Sequence, residues 1–461
     1  MFETLFKPQS IAVVGASRNP GKIGYTILMN LKMTGFNGKI FPVNRNESEI
    51  LGLKCYPSLS DIGEKVDIAV LALPVKYIPE LVSECKDIGT GYVIIISGGF
   101  SETGGAGKEM EEQLARIIYG SGTRIIGPNT VGVYFPYNRV NTALTPPDRV
   151  LFPPEGKIAF ISQSGALGLL AMDSISEYGV GISAFINLGN MIDLNDLELL
   201  DYFGKDEKTG SVVVYIESVS SGKLFFEKIR EINRIKPVVV LKSGRTQSSA
   251  MAASLHTGAM ATNDAILNGA LLQAGATRAY DETELLDYGR VLAYSKPLRG
   301  KNIAVVTTAG GIGVITSDYI SSKHHGIGLS LARLKESTKD AIKKIIVPFG
   351  SAENPIDLTA DGSTSDYKKI LPILLDDPGV DGIIIYALPQ TPKMDVSIVD
   401  VIQEYANGIK PLVVGVIGSK MGRDIIIELE RRKIPAFPSI QRTVKAVKVL
   451  YDYGTYMKRR L

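Results

Sequence analysis

The sequence predicts an α/β protein built from three doubly wound domains, and three observations predict it. One grammar occurs three times: a β-branched run, a Gly-rich turn, then a helical pattern, at Ile11-Ala-Val-Val-Gly-Ala-Ser17, Lys157-Ile-Ala-Phe-Ile-Ser-Gln-Ser-Gly165 and Asn302-Ile-Ala-Val-Val-Thr-Thr-Ala-Gly-Gly311. Each reads as the first strand of a parallel unit, whose ligand crevice lies beyond the strand C-termini. Two Pro-bearing breaks, Thr145 to Pro154 and Ser295 to Gly300, separate the repeats. They cut the chain into domains at 1–150, 151–299 and 300–461. Composition agrees: 461 residues suit two to four domains, and 45% hydrophobic with 21% charged residues describes an ordinary globular chain.

In the first domain, strands are expected at 11–15, 39–43, 67–73, 92–96 and 124–126, with helices between them. The first turn runs from Gly15 through Ala16, Ser17 and Lys22 to Gly24. A Gly-rich turn feeding a helix presents backbone N–H groups and a positive dipole end to phosphate. Two sharper labels do not fit. A P-loop needs four residues between Gly and Gly-Lys followed by Ser or Thr, whereas five stand between Gly15 and Gly21-Lys22, and Ile23 follows. A dinucleotide fold usually ends its second strand in an acid, whereas Phe41-Pro-Val43 is followed by Asn44. Later strand ends carry Leu73-Pro74, Ser97-Gly98-Gly99-Phe100 and Gly127-Pro128-Asn129 through Gly132, a set suited to a long crevice for an extended cofactor.

The second domain opens with Ser162, Gln163 and Ser164 at a strand end, and Gly165 starts a helix of small residues, a second anion site by the same physics. No glycine stands two residues before Ser164, so the hydrolase elbow is excluded. Asn187, Gly189 and Asn190 cluster after the next strand. Glu217 and Lys242 end the two after that. The loop that follows holds His256, one of three histidines, set between Ser254 and Thr257-Gly258. The other two, His324 and His325, sit in a polar run. A lone histidine is commonly a buried or capping residue. Here a histidine, a carboxylate, a lysine and a helix N-terminus fall on one predicted sheet edge. The third domain has strands expected near 303–307, 328–332, 382–387, 411–416 and 434–437, shows no catalytic set, and reads as scaffold or interface.

Several classes are set aside by composition. A net charge of +3 argues against a nucleic-acid partner. The apolar runs are too short to span a bilayer, and the N-terminus does not read as a signal peptide. Cys55 and Cys85 have no metal-ligand spacing and suit a reducing cytoplasm. No metal site is expected in the chain.

Taken in order, Gly15-Ala-Ser17 with Gly24, Phe41 to Asn44, Ser97 to Phe100, Gly127 to Asn129, Ser162 to Gly165, Gly189-Asn190 with Asp193, and His256-Thr-Gly258 resemble the α subunit of ADP-forming acyl-CoA synthetases, in the succinyl-CoA synthetase superfamily. The acetate-type archaeal enzymes are the nearest look-alike, and the resemblance covers the whole chain. One position departs from the family's pattern: Leu255, not serine, precedes the histidine. The resemblance implies a Rossmann-like CoA-binding domain, a flavodoxin-like phosphohistidine domain and a further flavodoxin-like domain. It implies that His256 is phosphorylated, that Glu217 holds its imidazole, and that the helix after Ser162–Gly165 binds phosphate with Asn187, Gly189 and Asn190. Gly15, Ala16, Ser17, Lys22, Gly24, Val43, Asn44, Leu73, Pro74, Ser97, Gly98, Gly99, Phe100, Gly127, Pro128 and Asn129 would border CoA. It also implies an ATP-grasp β subunit, in an α2β2 complex, that holds ADP or ATP with Mg2+.

The chemistry fits these residue types. Phosphate attacks an acyl-CoA thioester to give an acyl phosphate, imidazole takes the phosphoryl group, and ADP receives it. Two rival readings remain: a CoA-binding regulatory or scaffold protein without catalysis, and a nicotinamide oxidoreductase, against which Asn44 speaks. A succinyl-type specificity is the alternative within the same chemistry.

Overall fold

The computed structural model describes residues 2–219, 221–249, 251, 263–322, 326 and 328–459. The chain divides into two compact units. The first comprises Met1–Glu177 with Gly181–Ala274, the second Tyr178–Val180 with Gly275–Leu461.

The first unit holds two sheets. In the first sheet the strand order is Lys39–Val43, Ser10–Val14, Ile68–Leu71, Tyr92–Ile95, Arg124–Ile126, all parallel. The strands are continuous runs of Ile, Val, Ala and Leu because helices cover both faces of a parallel sheet, so neither face tolerates polar alternation. Val13, Ile68, Val70, Ile94 and Ile125 are wholly buried. The chain reverses direction across the sheet between Ser10–Val14 and Ile68–Leu71, and that switch point is where a doubly wound sheet opens a crevice. The strand boundaries agree with the sequence reading to within two residues at every end.

The second sheet is built on Glu155–Ser162. Ser211–Ile216 and then Val238–Lys242 lie on one side, and Ile182–Asn187 on the other, all parallel. Beyond Ile182–Asn187 comes an antiparallel addition that the sequence reading did not contain. Val133–Phe135 pairs with Phe185 and Ile186, and Val140–Asn141 pairs back onto it. These strands precede the Pro-rich stretch at 145–154, so the chain enters the second sheet at the Gly127–Gly132 turn, earlier than the predicted cut at 150. The prolines mark the loop from this hairpin to Glu155–Ser162. The helix Gly165–Ser176 follows that long strand directly.

The second unit, taken by itself, has a parallel sheet in the order Ser330–Leu331, Asn302–Thr307, Gly382–Ala387, Leu412–Val416, Ala436–Phe437, with Ile356–Asp357 also on Asn302–Thr307. Its core is aliphatic, with Tyr367 wholly buried in it. Beside it lies a buried charged network. The Arg290 guanidinium donates to Glu430 and, at 2.7 Å, to Asp287, and Asp287 also accepts from Arg442 at 2.6 Å. Among the described residues no helix is long and apolar enough to cross a membrane, and no group of His, Cys, Asp and Glu could hold a metal ion.

Candidate functional site

The first crevice lies at the switch point of the first sheet. A cleft of about 360 Å3 is lined by Gly15, Val43, Asn44 and Leu73 from the predicted set, with Arg45, Asn46, Tyr77 and Glu80 beside them. Gly15 has φ +88°, and its N–H donates to the Val43 carbonyl at 3.1 Å. A Cβ there would stand 2.5 Å from the Ala72 carbonyl oxygen. Gly24, in the first turn of the helix Ile23–Met33, packs on that same turn. The pair draws the helix N-terminus onto the strand end, which a phosphate-bearing ligand requires. Asn44 Nδ2 donates to the Ala16 carbonyl at 2.7 Å, so the residue at the usual acid position locks the turn. The Ser17 hydroxyl accepts from Asn19 N–H at 3.1 Å, and Lys22 is exposed at the helix start. Pro74 is exposed at the next strand end.

The second cleft, about 320 Å3, lies among strand ends of both sheets of this unit. Asn129, Thr130 and Val131 line it from one side, Gln163, Ser164, Gly165 and Ala166 from the next, then Gly189 to Met191 and finally Glu217 and Ser218. The helix Gly165–Ser176 points its N-terminus into it. Ser164 is its N-cap with extended backbone, and its side chain makes no capping bond. First-turn N–H groups have no partner within a helix, so this end offers donors to an anion. Gly165 is required sterically, since a Cβ would stand 2.4 Å from Val131 Cγ1.

The residues predicted for phosphate divide into two groups. Ser162 is wholly buried and donates its hydroxyl to the Ser164 carbonyl at 2.6 Å. Asn187, also wholly buried, accepts from Val131 N–H at 2.8 Å and donates to the Ser162 carbonyl at 2.9 Å. Gln163 turns its carboxamide onto the backbone of Glu217 and Ser218. Ser162 and Asn187 shape the loop from inside, Gln163 lines the cleft with its carboxamide turned onto residues 217–218, and Ser164, Gly165 and Gly189 remain toward the open side. Gly189 has φ +56°, and a Cβ there would stand 2.2 Å from the Pro128 carbonyl oxygen.

The loops at 97–100 and 127–129 are also tied together. Asn129 N–H donates to the Ser97 carbonyl at 2.9 Å, and the Ser97 hydroxyl donates to the Leu73 carbonyl. Phe100, predicted beside the ligand, has its side chain wholly buried in the core of the first domain, so only its backbone faces this region. Pro128 is buried too, following a cis peptide bond from Gly127. Gly98 is exposed.

Two acids here were not singled out from sequence. Glu102 accepts from Gly99 N–H, from Phe100 N–H at 3.1 Å and from Asn190 Nδ2 at 2.7 Å, while Glu111 accepts from Asn190 Nδ2 at 2.7 Å. Burial pushes the Glu102 carboxyl up, but these three donors outweigh it and hold it below the ordinary glutamate value. The pairings span 88 and 79 residues, so no local signal announces them.

On the predicted catalytic edge, Glu217 follows the strand Ser211–Ile216, and the Tyr215 hydroxyl donates to its Oε1 at 3.5 Å. Lys242 is wholly buried, with Nζ donating to the Ser243 carbonyl at 2.7 Å and the Gly244 carbonyl at 3.1 Å, so it closes its own strand end. His256 lies outside the described residues, as do His324 and His325.

Comparison with known proteins adds three matched regions: a CoA binding domain at residues 9–136, a succinyl-CoA ligase like flavodoxin domain at 155–292 and a ligase-CoA domain at 303–458. The chain is 38% identical to the acetate–CoA ligase [ADP-forming] I subunit alpha of Pyrococcus furiosus, over 98% of both chains. It is 34% identical to acetate–CoA ligase [ADP-forming] I of Archaeoglobus fulgidus, covering 98% of this chain and 64% of that longer one. The dinucleotide-forming acetyl-coenzyme A synthetase 1 of Candidatus Korarchaeum cryptofilum, solved in complex with phosphate and ADP, superposes with a TM-score of 0.90 at 36% identity, over 100% of this chain and 99% of that one.

Proposed function

This chain belongs to the α-subunit family of ADP-forming acetate–CoA ligases, and from that premise we propose that it catalyses acyl transfer from CoA to phosphate and carries the phosphoryl group onward on His256. The overall reaction is acyl-CoA, phosphate and ADP to carboxylic acid, CoA and ATP, with a short acid such as acetate as substrate. The observation that carries the reading is that the N-terminus of the helix Gly165–Ser176 and Glu217 line one cleft.

The residues divide the work by their chemistry. The turn from Gly15 to Gly24, with Asn44 and Leu73, fits CoA: a Cβ at Gly15 or Gly24 would collide with backbone, so only glycine lets the helix Ile23–Met33 start close against the strand end, where its first-turn N–H groups can meet a phosphate. Ser164 and the first turn after Gly165 stabilise phosphate and the charge that builds on it, a term of about 0.3–1 kcal/mol at exposed sites and up to ~2 kcal/mol when partly buried. A phosphate oxygen attacks the thioester carbon, the carbon–sulfur bond breaks, and CoA leaves as the thiol. An imidazole nitrogen of His256 then attacks phosphorus, and the bond to the acyl oxygen breaks to release the carboxylate. Glu217 accepts the other imidazole N–H, which sets the tautomer and stabilises the cation formed during attack. An ATP-grasp partner subunit presents ADP with Mg2+ to the phosphohistidine, and the enzyme works in the cytoplasm.

The test is phosphorylation of the assembled enzyme by acyl-CoA and labelled phosphate. Acid-labile, base-stable label is expected on the chain and is lost in His256→Ala. Label that persists in His256→Ala overturns the assignment. CoA binding with no label at all returns the protein to the scaffold reading.

A further inference from the structure

We propose that Gln163 is a positioning residue for Glu217, holding the backbone from which the carboxylate reaches the imidazole, and that it is not a phosphate ligand; this rests on the function proposed above. The strands Glu155–Ser162 and Ser211–Ile216 run parallel, and their last registered pair is Ser162 with Tyr215. One further backbone bond continues the ladder, Gln163 N–H to the Tyr215 carbonyl at 3.1 Å. Past that point the strand ends at Ile216, and among the described residues no strand pairs with residues 217–218.

The Gln163 side chain takes the place of the missing strand. Its Oε1 accepts from Glu217 N–H at 2.8 Å and from Ser218 N–H at 3.2 Å, and its Nε2 donates to the Ser218 carbonyl at 3.0 Å. A carboxamide is the side-chain group that can accept from both N–H groups and donate to the carbonyl at once. Glutamate keeps the acceptor and lacks the donor. Lysine and arginine donate only. Asparagine is one carbon shorter. Its Nε2 also donates toward Met191 Sδ at 3.8 Å, so the oxygen and both N–H groups of the carboxamide face protein atoms, and a phosphate would have to displace one of them.

The consequence for chemistry is geometric. Glu217 is held at its backbone by Gln163, and the Tyr215 hydroxyl lies 3.5 Å from its Oε1, a long contact that leaves the backbone hold as the stronger restraint. A carboxylate that orients a nucleophile acts through direction, and a displacement of about 1 Å can cost up to ~100-fold in rate. Gln163 thereby links the phosphate-binding strand end to the histidine-orienting one: its neighbours Ser164 and Gly165 face phosphate while its side chain fixes the acid.

A double-mutant cycle on the chain assembled with its nucleotide-binding partner tests this, with the rate of phosphohistidine formation as readout. Gln163→Ala is expected to slow it about tenfold with KM for phosphate unchanged, and Glu217→Gln about 100-fold. Combined, the two should be no more than about twofold slower than Glu217→Gln alone, because a residue acting through Glu217 has nothing left to position. Gln163→Glu, which keeps both accepted bonds, should recover at least half of the loss. Hydrogen exchange supplies a readout independent of activity: the amides of Glu217 and Ser218 should lose protection in Gln163→Ala. Additive losses, or a raised KM for phosphate in Gln163→Ala, overturn the proposal and return Gln163 to the phosphate site. Absence of labelled histidine in the unsubstituted enzyme is a separate result and removes the function reading itself, while the exchange experiment still reports whether Gln163 holds residues 217–218.

Discussion

Gly24 sits directly on Gly15: a Cβ built on Gly24 would stand 2.1 Å from the Gly15 carbonyl oxygen and 3.0 Å from Ala16 Cα. The contact is backbone against backbone, so no side-chain rotation relieves it. Gly24→Ala is expected to push the helix Ile23–Met33 away from the strand end, at about 1–3 kcal/mol in stability. Desulfo-CoA affinity should fall at least tenfold, measured by calorimetry on folded protein. Lys22→Ala is the companion variant. Lys22 is exposed and outside the packing, so affinity should fall by a few-fold, more at low salt than at high, with the thermal midpoint unchanged. Undiminished CoA binding in both variants would move the ligand away from this turn.

That turn was legible because its requirements are local. A β-branched run followed by glycines within ten residues is visible in sequence, and parallel strands buried on both faces leave continuous apolar runs such as Ile68–Leu71 and Gly382–Ala387. The hairpin at 133–141 was not legible: its strands are three and two residues long, too short for any period to register. Glu217 and Ser164 were placed correctly at strand ends, but what Gln163 does was hidden, since its partners lie 54 and 55 residues away. The same holds for Asn190, whose amide joins Glu102 and Glu111 across 88 and 79 residues. Strand ends can be read from sequence. Which side chain crosses from one end to another depends on packing.

Asp196 makes a pH-dependent prediction. It begins the helix Asp196–Lys205 after the N-cap Asn195, yet it is only 4% exposed. Burial pushes its carboxyl up from the ordinary 3.8 to about 6, against the opposing backbone donors at Leu197 and Asp196 itself. A carboxyl whose folded value is raised binds its proton more tightly when folded. Its favourable contribution is therefore complete below pH ~4 and is lost as pH rises through about 6. Asp196→Asn should stabilise the protein at pH 7.5 by up to the order of 3 kcal/mol. The gain should shrink to nothing near pH 4 when thermal midpoints are followed across that range. A gain independent of pH would show that the aspartate is not titrating in this window.

The charged network of the second unit predicts the opposite response to substitution. Arg290, Asp287 and Glu430 are each 5% exposed or less. The Arg290 guanidinium also lies 4.5 Å from the Phe437 ring centre. Arg290→Met leaves the buried Glu430 without a cation, while Asp287 keeps Arg442, and should cost about 3–5 kcal/mol in chemical denaturation. Glu430→Gln should cost less, because an amide oxygen still accepts from Arg290 and from Ala436 N–H, which Glu430 now holds at 2.9 Å. Equal losses in the two variants would mean that charge, and not hydrogen bonding, dominates at Glu430.

The last prediction concerns what these 461 residues do without a partner. The proposed chemistry ends on a phosphohistidine, which yields ATP only if ADP and Mg2+ are held in line with it. The turn at Gly15–Gly24 is spaced wrongly for a Walker loop. The Archaeoglobus fulgidus relative carries the matched region as 64% of a longer polypeptide, whereas in the Pyrococcus furiosus relative it is 98% of a chain named as a subunit. The same region thus occurs both inside a longer chain and as a separate subunit. The chain purified alone should accept labelled phosphate from acyl-CoA once, at a stoichiometry no greater than one per chain, and make no ATP. Adding an ATP-grasp subunit should start turnover, with ATP rising in proportion to acyl-CoA consumed and label leaving the histidine. Continuous ATP synthesis by the pure chain would place a nucleotide site within it and remove the need for a partner.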